Sequence, residues 1–390
     1  MKYLVFYLLL SMMVISCSDQ QTQTLNGARY IIDLDGQKES SVPLSSMFKN
    51  VKTIILETNE QCLIGRIDEF QVFDGGIYVL DRQIAKGLFV FDTNGRFVRK
   101  IGRIGKGPGE YTRIDDFTLD ADNRFIFLCD QFNRIHKYRL DGTYINTVTV
   151  QTRATIRYIQ CYRGRMYADL FSAECAPDDC ILAEIDVNNG NIRSQHLHLK
   201  DNNGWVLPLS SGSVFKSRLG HPPKYARLFM HNIVTVDETV SPYIELKSQN
   251  LISEEDIKEL AGGTITNQFE ALARGPKFWG LINFVESNDF VVFKMLTSFV
   301  VVFKKKSGEV ILADYLNNDI IFKNSDNDWY SRFGFSDAHG AYAAIPSSLL
   351  DDFQASVRNN EVRPGLDKID QLMQLDVASC NPVIFFYGFT

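Results

Sequence analysis

Long apolar runs are almost missing from this 390-residue chain. One stretch, Tyr3 to Ile15, interrupts a composition of 45% hydrophobic and 23% charged residues, and it is too short to span a bilayer as a stable helix. No second run reaches membrane-spanning length, so the rest of the chain is expected to fold in water. Charge of one sign is scarce too. The formal net charge is -6, and the only basic run, Lys304-Lys305-Lys306, stands before Ser307-Gly308, where it reads as the solvated end of a hairpin. Nucleic acid is therefore not an expected partner, because binding it takes a concentrated positive surface.

Signatures of catalysis and of structural metal are equally thin. Apart from Cys17 the cysteines are Cys62, Cys129, Cys161, Cys175, Cys180 and Cys380; their spacing fits no zinc finger or ribbon, and a chain of this length can build a core without disulfide staples. Cys175 and Cys180 flank Ala-Pro-Asp-Asp in a polar turn, a pair that an oxidising compartment would be able to join, although sequence does not fix connectivity. Cys129 follows Phe125-Ile126-Phe127-Leu128 and reads as a buried small hydrophobe. His196 and His198 share one face of a strand but have no third ligand nearby. Asp120-Ala121-Asp122-Asn123 begins like a calcium loop without its glycine or closing glutamate, and reads as a hairpin turn. Gly105-Lys106-Gly107-Pro108-Gly109 lacks the spacing of a phosphate loop and reads as a tight crossover stiffened by Pro108. No Ser/His/Asp or Cys/His arrangement singles out a nucleophile. No metal and no cofactor are expected.

What is present begins at the N-terminus. Lys2 gives a positive start, the apolar stretch follows, and the small residue Ser16 precedes Cys17, the order of a processed secretion signal. The ending Val14-Ile15-Ser16-Cys17 resembles a lipobox, which implies a signal peptide over 1–17 and a mature chain lipidated at Cys17. Ser18 to Thr24 is polar and without apolar periodicity, as befits a flexible tether over 18–26. Residues 27–390 are expected to form one domain, held at the membrane through the lipid anchor.

That domain repeats itself. Ile67-Asp68-Glu69-Phe70, Ile77-Tyr78-Val79-Leu80-Asp81, Leu88-Phe89-Val90-Phe91-Asp92 with Gly95, and Phe97-Val98 are matched by Ile114-Asp115-Asp116-Phe117, Phe125 to Asp130, Ile135-His136-Lys137-Tyr138 with Gly142, and Tyr144-Ile145. Phe70 to Phe117 is a shift of 47, Asp81 to Asp130 of 49, Gly95 to Gly142 of 47, and Gly190 follows 48 later. Four strand-like runs per unit at this period, divided by Asp, Asn and Gly turns, are the pattern of a propeller blade. Blurred units follow from Ile156 to Leu199, Arg227 to Lys247 and Phe284 to Ala313. The C-terminal run Val383 to Tyr387 is one more strand, and either Tyr30-Ile31-Ile32 or Val51 to Ile55 would complete its blade and close the ring. Ser253-Glu254-Glu255-Asp256 opens a short helix with a capping-box pattern; Ser347 to Val357 and Leu366 to Leu375 also read as helices. Setting these insertions aside favours six blades over seven. The expected fold class is all-β, a six-bladed β-propeller of four-stranded blades with a few short helical insertions.

The block Ile101-Gly102-Arg103-Ile104-Gly105-Lys106-Gly107-Pro108-Gly109-Glu110-Tyr111 before Asp116-Phe117, the preceding Val90 to Gly95 and the ending Asn381-Pro382-Val383-Ile384 resemble the six-bladed β-propeller lipoproteins of bacterial envelopes, which are similar to NHL-repeat propellers. The resemblance implies a fold and an address, periplasmic or surface-exposed at the outer membrane or cell envelope. It carries no assigned reaction and no catalytic residues.

One constellation is a candidate site. Arg66 and Asp68, and Arg113 and Asp115, take the same repeat position at the start of a first strand, and Arg157 stands near that point in the next unit. In a propeller these starts converge on one mouth of the channel, where arginines and aspartates would bind an anionic or sugar-like ligand; the plainer reading is that each Arg pairs with a neighbouring Asp. Two function classes follow: a non-enzymatic binding or scaffold module for an envelope protein, peptide or glycan, or a metal-dependent hydrolase or lyase with its site in the channel. Arginine repels a divalent cation, so the first is preferred.

Overall fold

The computed structural model describes residues 27–171, 180–198, 214–216, 221–260, 265–296, 299–323 and 332–390. Six sheets stand around one axis. Blade 1 consists of Glu69–Phe73, Gly76–Asp81, Gly87–Asp92 and Phe97–Ile101, and blade 2 of Ile114–Asp120, Phe125–Asp130, Arg134–Arg139 and Tyr144–Thr149. Blade 3 follows with Thr155–Tyr162, Arg165–Phe171, Cys180–Ile185 and Ile192–His198, and blade 4 with Val214–Lys216, Lys224–Ala226, Asn232–Val236 and Val240–Lys247. Blade 5 is Leu281–Glu286, Phe290–Met295, Val300–Lys304 and Val310–Asn317; blade 6 is Phe333–Ser336, Gly340–Ile345, Val383–Phe389 and Phe48–Ile55. The chain is thus a six-bladed β-propeller of four-stranded blades.

The ring closes inside blade 6. Phe48–Ile55 pairs antiparallel with the C-terminal strand, Ile54 opposite Ile384 and Lys52 opposite Phe386. Of the two N-terminal runs able to close the ring, this is the one used. Tyr30–Asp33 instead lies parallel to the outer strand of blade 4, and Lys38–Pro43 parallel to that of blade 5, so the N-terminal segment is a belt that gives two blades a fifth strand and covers their open edges.

The residue pattern accounts for the layering. The middle strands Gly76–Asp81 and Cys180–Ile185 are buried along their whole length and apolar but for Asp81 and Glu184, whereas outer strands such as Tyr144–Thr149 stay partly wet. The core lies between blades rather than within them. Ile54, Phe70, Val79, Phe335 and Ile384 pack where blade 6 meets blade 1, and Leu80, Leu88, Phe117 and Leu128 where blade 1 meets blade 2.

Two faces result. One carries the crossovers between blades and the loops after each second strand; the other carries the hairpins. The repeat aspartates organise the crossover face: Asp81 accepts the N–H groups of Gly65 and Arg66 on one oxygen and of Gln83 and Ile84 on the other, and Asp130 likewise holds Phe132, Arg134 and His136. The crossover from blade 1 to blade 2 closes on Glu110, which accepts from Gly107 N at 2.7 Å and Arg103 Nε at 2.6 Å. The repeat glycines organise the hairpin face. Gly95 and Gly190 sit at φ +88 and +78 with no room for a side chain, because a Cβ would stand 2.0 Å from the Ile55 carbonyl oxygen and 2.1 Å from that of Thr149, the backbones of the preceding blades.

The helices sit at the crossover face of blades 4 to 6. Glu254–Leu260 is capped as its sequence suggests, Ser253 Oγ accepting from Asp256 N while the Asp256 carboxylate accepts from Ser253 N at 2.7 Å. Ile265–Arg274 follows it, a helix with no expectation behind it, and Leu350–Arg358 and Ile369–Gln374 fill the loop between the second and third strands of blade 6. Among the described residues no helix is long and apolar enough to cross a membrane.

Candidate functional site at the crossover mouth

All five residues singled out by the repeat lie at the crossover face, but not as a ring of converging charges. Arg66 Nε donates to Asp68 at 2.7 Å, and Arg113 donates to both oxygens of Asp115 at 2.7 and 3.0 Å. Each pair closes within its own blade. Arg157 is different: its register places it at the repeat position of Asp115, since both are the extra residue of a bulge in the first strand, after Ile114 and Ile156. Its guanidinium lies 4.6 Å over the Phe171 ring, and its Nε is buried without a hydrogen-bond partner.

The groups that do meet are one residue further along. Glu69, Asp116 and Tyr158 are repeat equivalents in blades 1, 2 and 3, and Arg82 reaches them from the loop after Asp81. Arg82 Nη2 stands 3.1 Å from Glu69 and 3.3 Å from Asp116, with its Cζ 5.9 Å from the Tyr158 ring. Burial and the neighbouring Glu69 push the Asp116 carboxyl well above the usual carboxylate range, against the pull of Arg82. Burial likewise pushes the Tyr158 phenol up to about 12. A second knot joins blades 3 and 4, where Tyr225 donates to Asp169 and Arg227 Nη1 stands 3.7 Å from the same carboxylate; burial raises the Asp169 carboxyl as well.

These side chains saturate the free edges of the inner strands. Asp116 accepts from Ile159 N at 2.7 Å, Thr118 Oγ1 from Cys161 N at 2.9 Å, and Gln71 donates to the Phe117 carbonyl at 3.3 Å. An inner strand has no sheet neighbour on the axis side, and an unpaired buried N–H costs as much as a lost hydrogen bond. The polar cluster therefore ties blades together.

Other residues noted in the sequence take structural places. His196 bonds Ser194 at 3.0 Å beside the Tyr167 ring, on the outer strand of blade 3. Asp120 receives Asn123 N at 3.1 Å and forms the expected hairpin turn. Lys304 and Lys306 pair with Glu309 and Asp289 at the expected hairpin end, but Lys305 turns inward to Glu286 at 2.6 Å. Among the described residues no three His, Cys, Asp or Glu side chains stand close enough to share a metal ion. Cys17, the tether and Cys175 lie outside the described residues; Cys180 opens a buried strand.

One feature of this face escaped the repeat analysis. Leu63, Ile84, Ile104 and Phe132 are 53%, 66%, 55% and 57% exposed. They occupy the two crossovers and the two loops that frame blades 1 and 2, while the other exposed large hydrophobics among the described residues, Ile31, Val98 and Ile145, lie on outer strands. Apolar residues at turn positions otherwise held by Asp, Asn and Gly were the available signal.

Comparison with known proteins places the chain. Among solved structures it is similar to a Bacteroides fragilis protein described as exported, at 17% identity and a TM-score of 0.71, over 92% of this chain and 99% of that one. It is similar also to a DUF4221 family member from Bacteroides vulgatus, at 12% identity and a TM-score of 0.49, over 87% and 98% of the two chains. At such identities the likeness concerns the fold alone. No curated protein matches by sequence. The model of a family described as a domain of unknown function, DUF4934, matches residues 29–388, from the belt strand on blade 4 to the C-terminal strand of blade 6, and the chain belongs to that family.

Proposed function

We propose that this protein is an envelope-anchored binding or scaffold module without catalytic activity, lipidated at Cys17, that receives its partner on the crossover face of blades 1 and 2. The observation that carries the reading is the group of four exposed apolar side chains there, Leu63, Ile84, Ile104 and Phe132. Apolar anchors on a rigid scaffold suit a protein or peptide partner better than a glycan. The lipobox-like N-terminus supports the envelope address, as does the likeness to a protein described as exported. The alternative, a metal-dependent hydrolase or lyase in the channel, needs carboxylates aimed at an ion. Glu69 and Asp116 are instead engaged by Arg82, and Asp116 also by the Ile159 N–H.

Photo-crosslinking in intact cells tests the reading. A benzophenone side chain at Phe132 or Ile104 is expected to give one discrete adduct, and the same group at Val98 or Ile145 none. Equal labelling at all four positions would remove the crossover face as the docking surface. Replacing Cys17 by Ala should release the protein from the membrane fraction and abolish fatty-acid labelling.

A further inference from the structure

The repeat sets an arginine and an aspartate at the crossover mouth twice and then breaks the pattern. Blades 1 and 2 open with Arg66-Ile67-Asp68 and Arg113-Ile114-Asp115, each closed into an ion pair. Blade 3 opens with Thr155-Ile156-Arg157, so Arg157 stands where the carboxylate stood and no arginine stands two residues before it. Its donors are unspent. Among the described residues Arg157 makes no hydrogen bond and no ion pair; what holds it is the Phe171 ring, 4.6 Å from its guanidinium carbon. Its Nε–H is buried without an acceptor, although the residue as a whole is only half-buried. The Asp169 carboxyl is near enough to feel its charge but is taken by Tyr225 and Arg227. A buried N–H without an acceptor costs free energy that an incoming acceptor would recover, and the ring fixes the plane in which that acceptor must lie.

Arg157 adjoins the apolar group on the same face. Phe132 is followed by Asn133, whose amide donates to the Ala154 carbonyl at 2.7 Å and whose amide oxygen accepts from Ile156 N at 2.9 Å; Arg157 is the next residue along. A partner seated on Phe132 has Arg157 beside it, and no existing bond has to break before it is used.

We propose that Arg157 is the polar anchor of the crossover face and takes a carboxylate from the docked protein, a Glu or Asp side chain held by two parallel N–H···O bonds. The inference rests on the reading of that face given above and names the chemistry of its partner. A carboxylate suits the place because the repeat already seats carboxylate against guanidinium there in blades 1 and 2, and because the neighbouring Asp169 opposes a dianion more than a monoanion.

Photo-crosslinking from a benzophenone at Phe132 in intact cells, repeated in Arg157 variants, tests it. Arg157→Gln should lower the yield of the protein adduct ~10-fold or more without lowering the melting temperature. Arg157→Lys, which keeps the charge without the fork, should restore only part of the yield, and Arg153→Gln, at an exposed neighbour, should leave it unaltered. In nitrogen–proton correlation spectra of the purified full chain in detergent, the Arg157 Nε–H signal, assigned by its loss in Arg157→Lys, should move saturably with sodium acetate and not with sodium chloride at equal ionic strength. Absence of any protein adduct in the wild type, or a phospholipid adduct in its place, would remove the reading of the face and this inference with it. An adduct undiminished in Arg157→Gln, full recovery in Arg157→Lys, or an Nε–H signal that acetate moves no further than chloride overturns the inference alone and leaves the face standing.

Discussion

Gly95 and Gly142 occupy the same turn in blades 1 and 2, both at φ +88, yet alanine should be far more harmful at one than at the other. At Gly142 a Cβ would meet nothing closer than Ile101 Cδ1 at 3.5 Å, an ordinary contact. The loss there is the conformational cost of placing an L-residue at positive φ, about 1–2 kcal/mol. At Gly95 the same Cβ would stand 2.0 Å from the Ile55 carbonyl oxygen, at the end of the strand that closes the ring. That backbone would have to retreat by on the order of 1 Å, disturbing the bond from Glu57 N to the Gly95 carbonyl at 2.7 Å and the one from Phe97 N to Glu57 at 2.8 Å. With each such bond worth about 1 kcal/mol, Gly95→Ala should cost roughly 3–5 kcal/mol. Urea unfolding followed by far-ultraviolet circular dichroism, compared at constant m-value, measures both. Equal losses for the two variants would refute the idea that the repeat glycine is a blade-docking residue, and leave it a turn residue only.

Three further outcomes are expected. The folded Asp116 carboxyl lies above its unfolded value, so its contribution to stability is full below the unfolded carboxylate range and is lost as pH rises through the folded value; Asp116→Asn should therefore gain on the wild type as pH rises from about 4 to 8, and a relative loss over that range would count against the buried carboxyl pair. Burial pushes the Cys129 and Cys161 thiols well above their ordinary value, so both should resist Ellman's reagent in the native protein and react on unfolding. A chain beginning at Leu56 lacks the outer strand of blade 6 as well as the belt, and should aggregate on size-exclusion chromatography far more than one beginning at Leu44, which keeps the closing strand and loses only the belt on blades 4 and 5.

The sequence disclosed the blades in proportion to how little had been inserted between their strands. Blades 1 and 2 follow one another without interruption, and their runs of alternating or continuous apolar residues and their Asp and Gly turns mark every strand. Blade 4 was blurred because its inner strand is only Val214–Lys216, and blades 5 and 6 because helices stand before one and within the other. The closing strand was narrowed to two candidates and no further, since nothing in Tyr30-Ile31-Ile32 says that it will pair in parallel with blade 4 rather than antiparallel with the C-terminus. At the mouth Asp68 and Asp115 are held by Arg66 and Arg113, while Glu69 and Asp116, the next residues, point to the other side of the strand and meet Arg82. The bulge that sets this register is an event of pairing and left no mark in the residue pattern.

The distribution of buried charge limits where this propeller can work. Blades 1 to 4 are joined at the axis by carboxylates bound to arginines and to backbone N–H groups, whereas the first paired residues after the corresponding bulges of blades 5 and 6 are the apolar Val285 and Phe335. A ligand that claimed Glu69 or Asp116 would leave Arg82 without its partners in a buried site, and breaking such a pair costs about 3–5 kcal/mol, a large part of the stability of a typical domain. Binding is therefore better served where nothing must be broken first. The apolar loops of blades 1 and 2 meet that condition, on the part of the crossover face opposite the helices of blades 4 to 6. The ring supplies rigidity and the loops supply recognition, so mutations at the axis should lower stability while those at Phe132 or Ile104 should change binding and leave the fold intact.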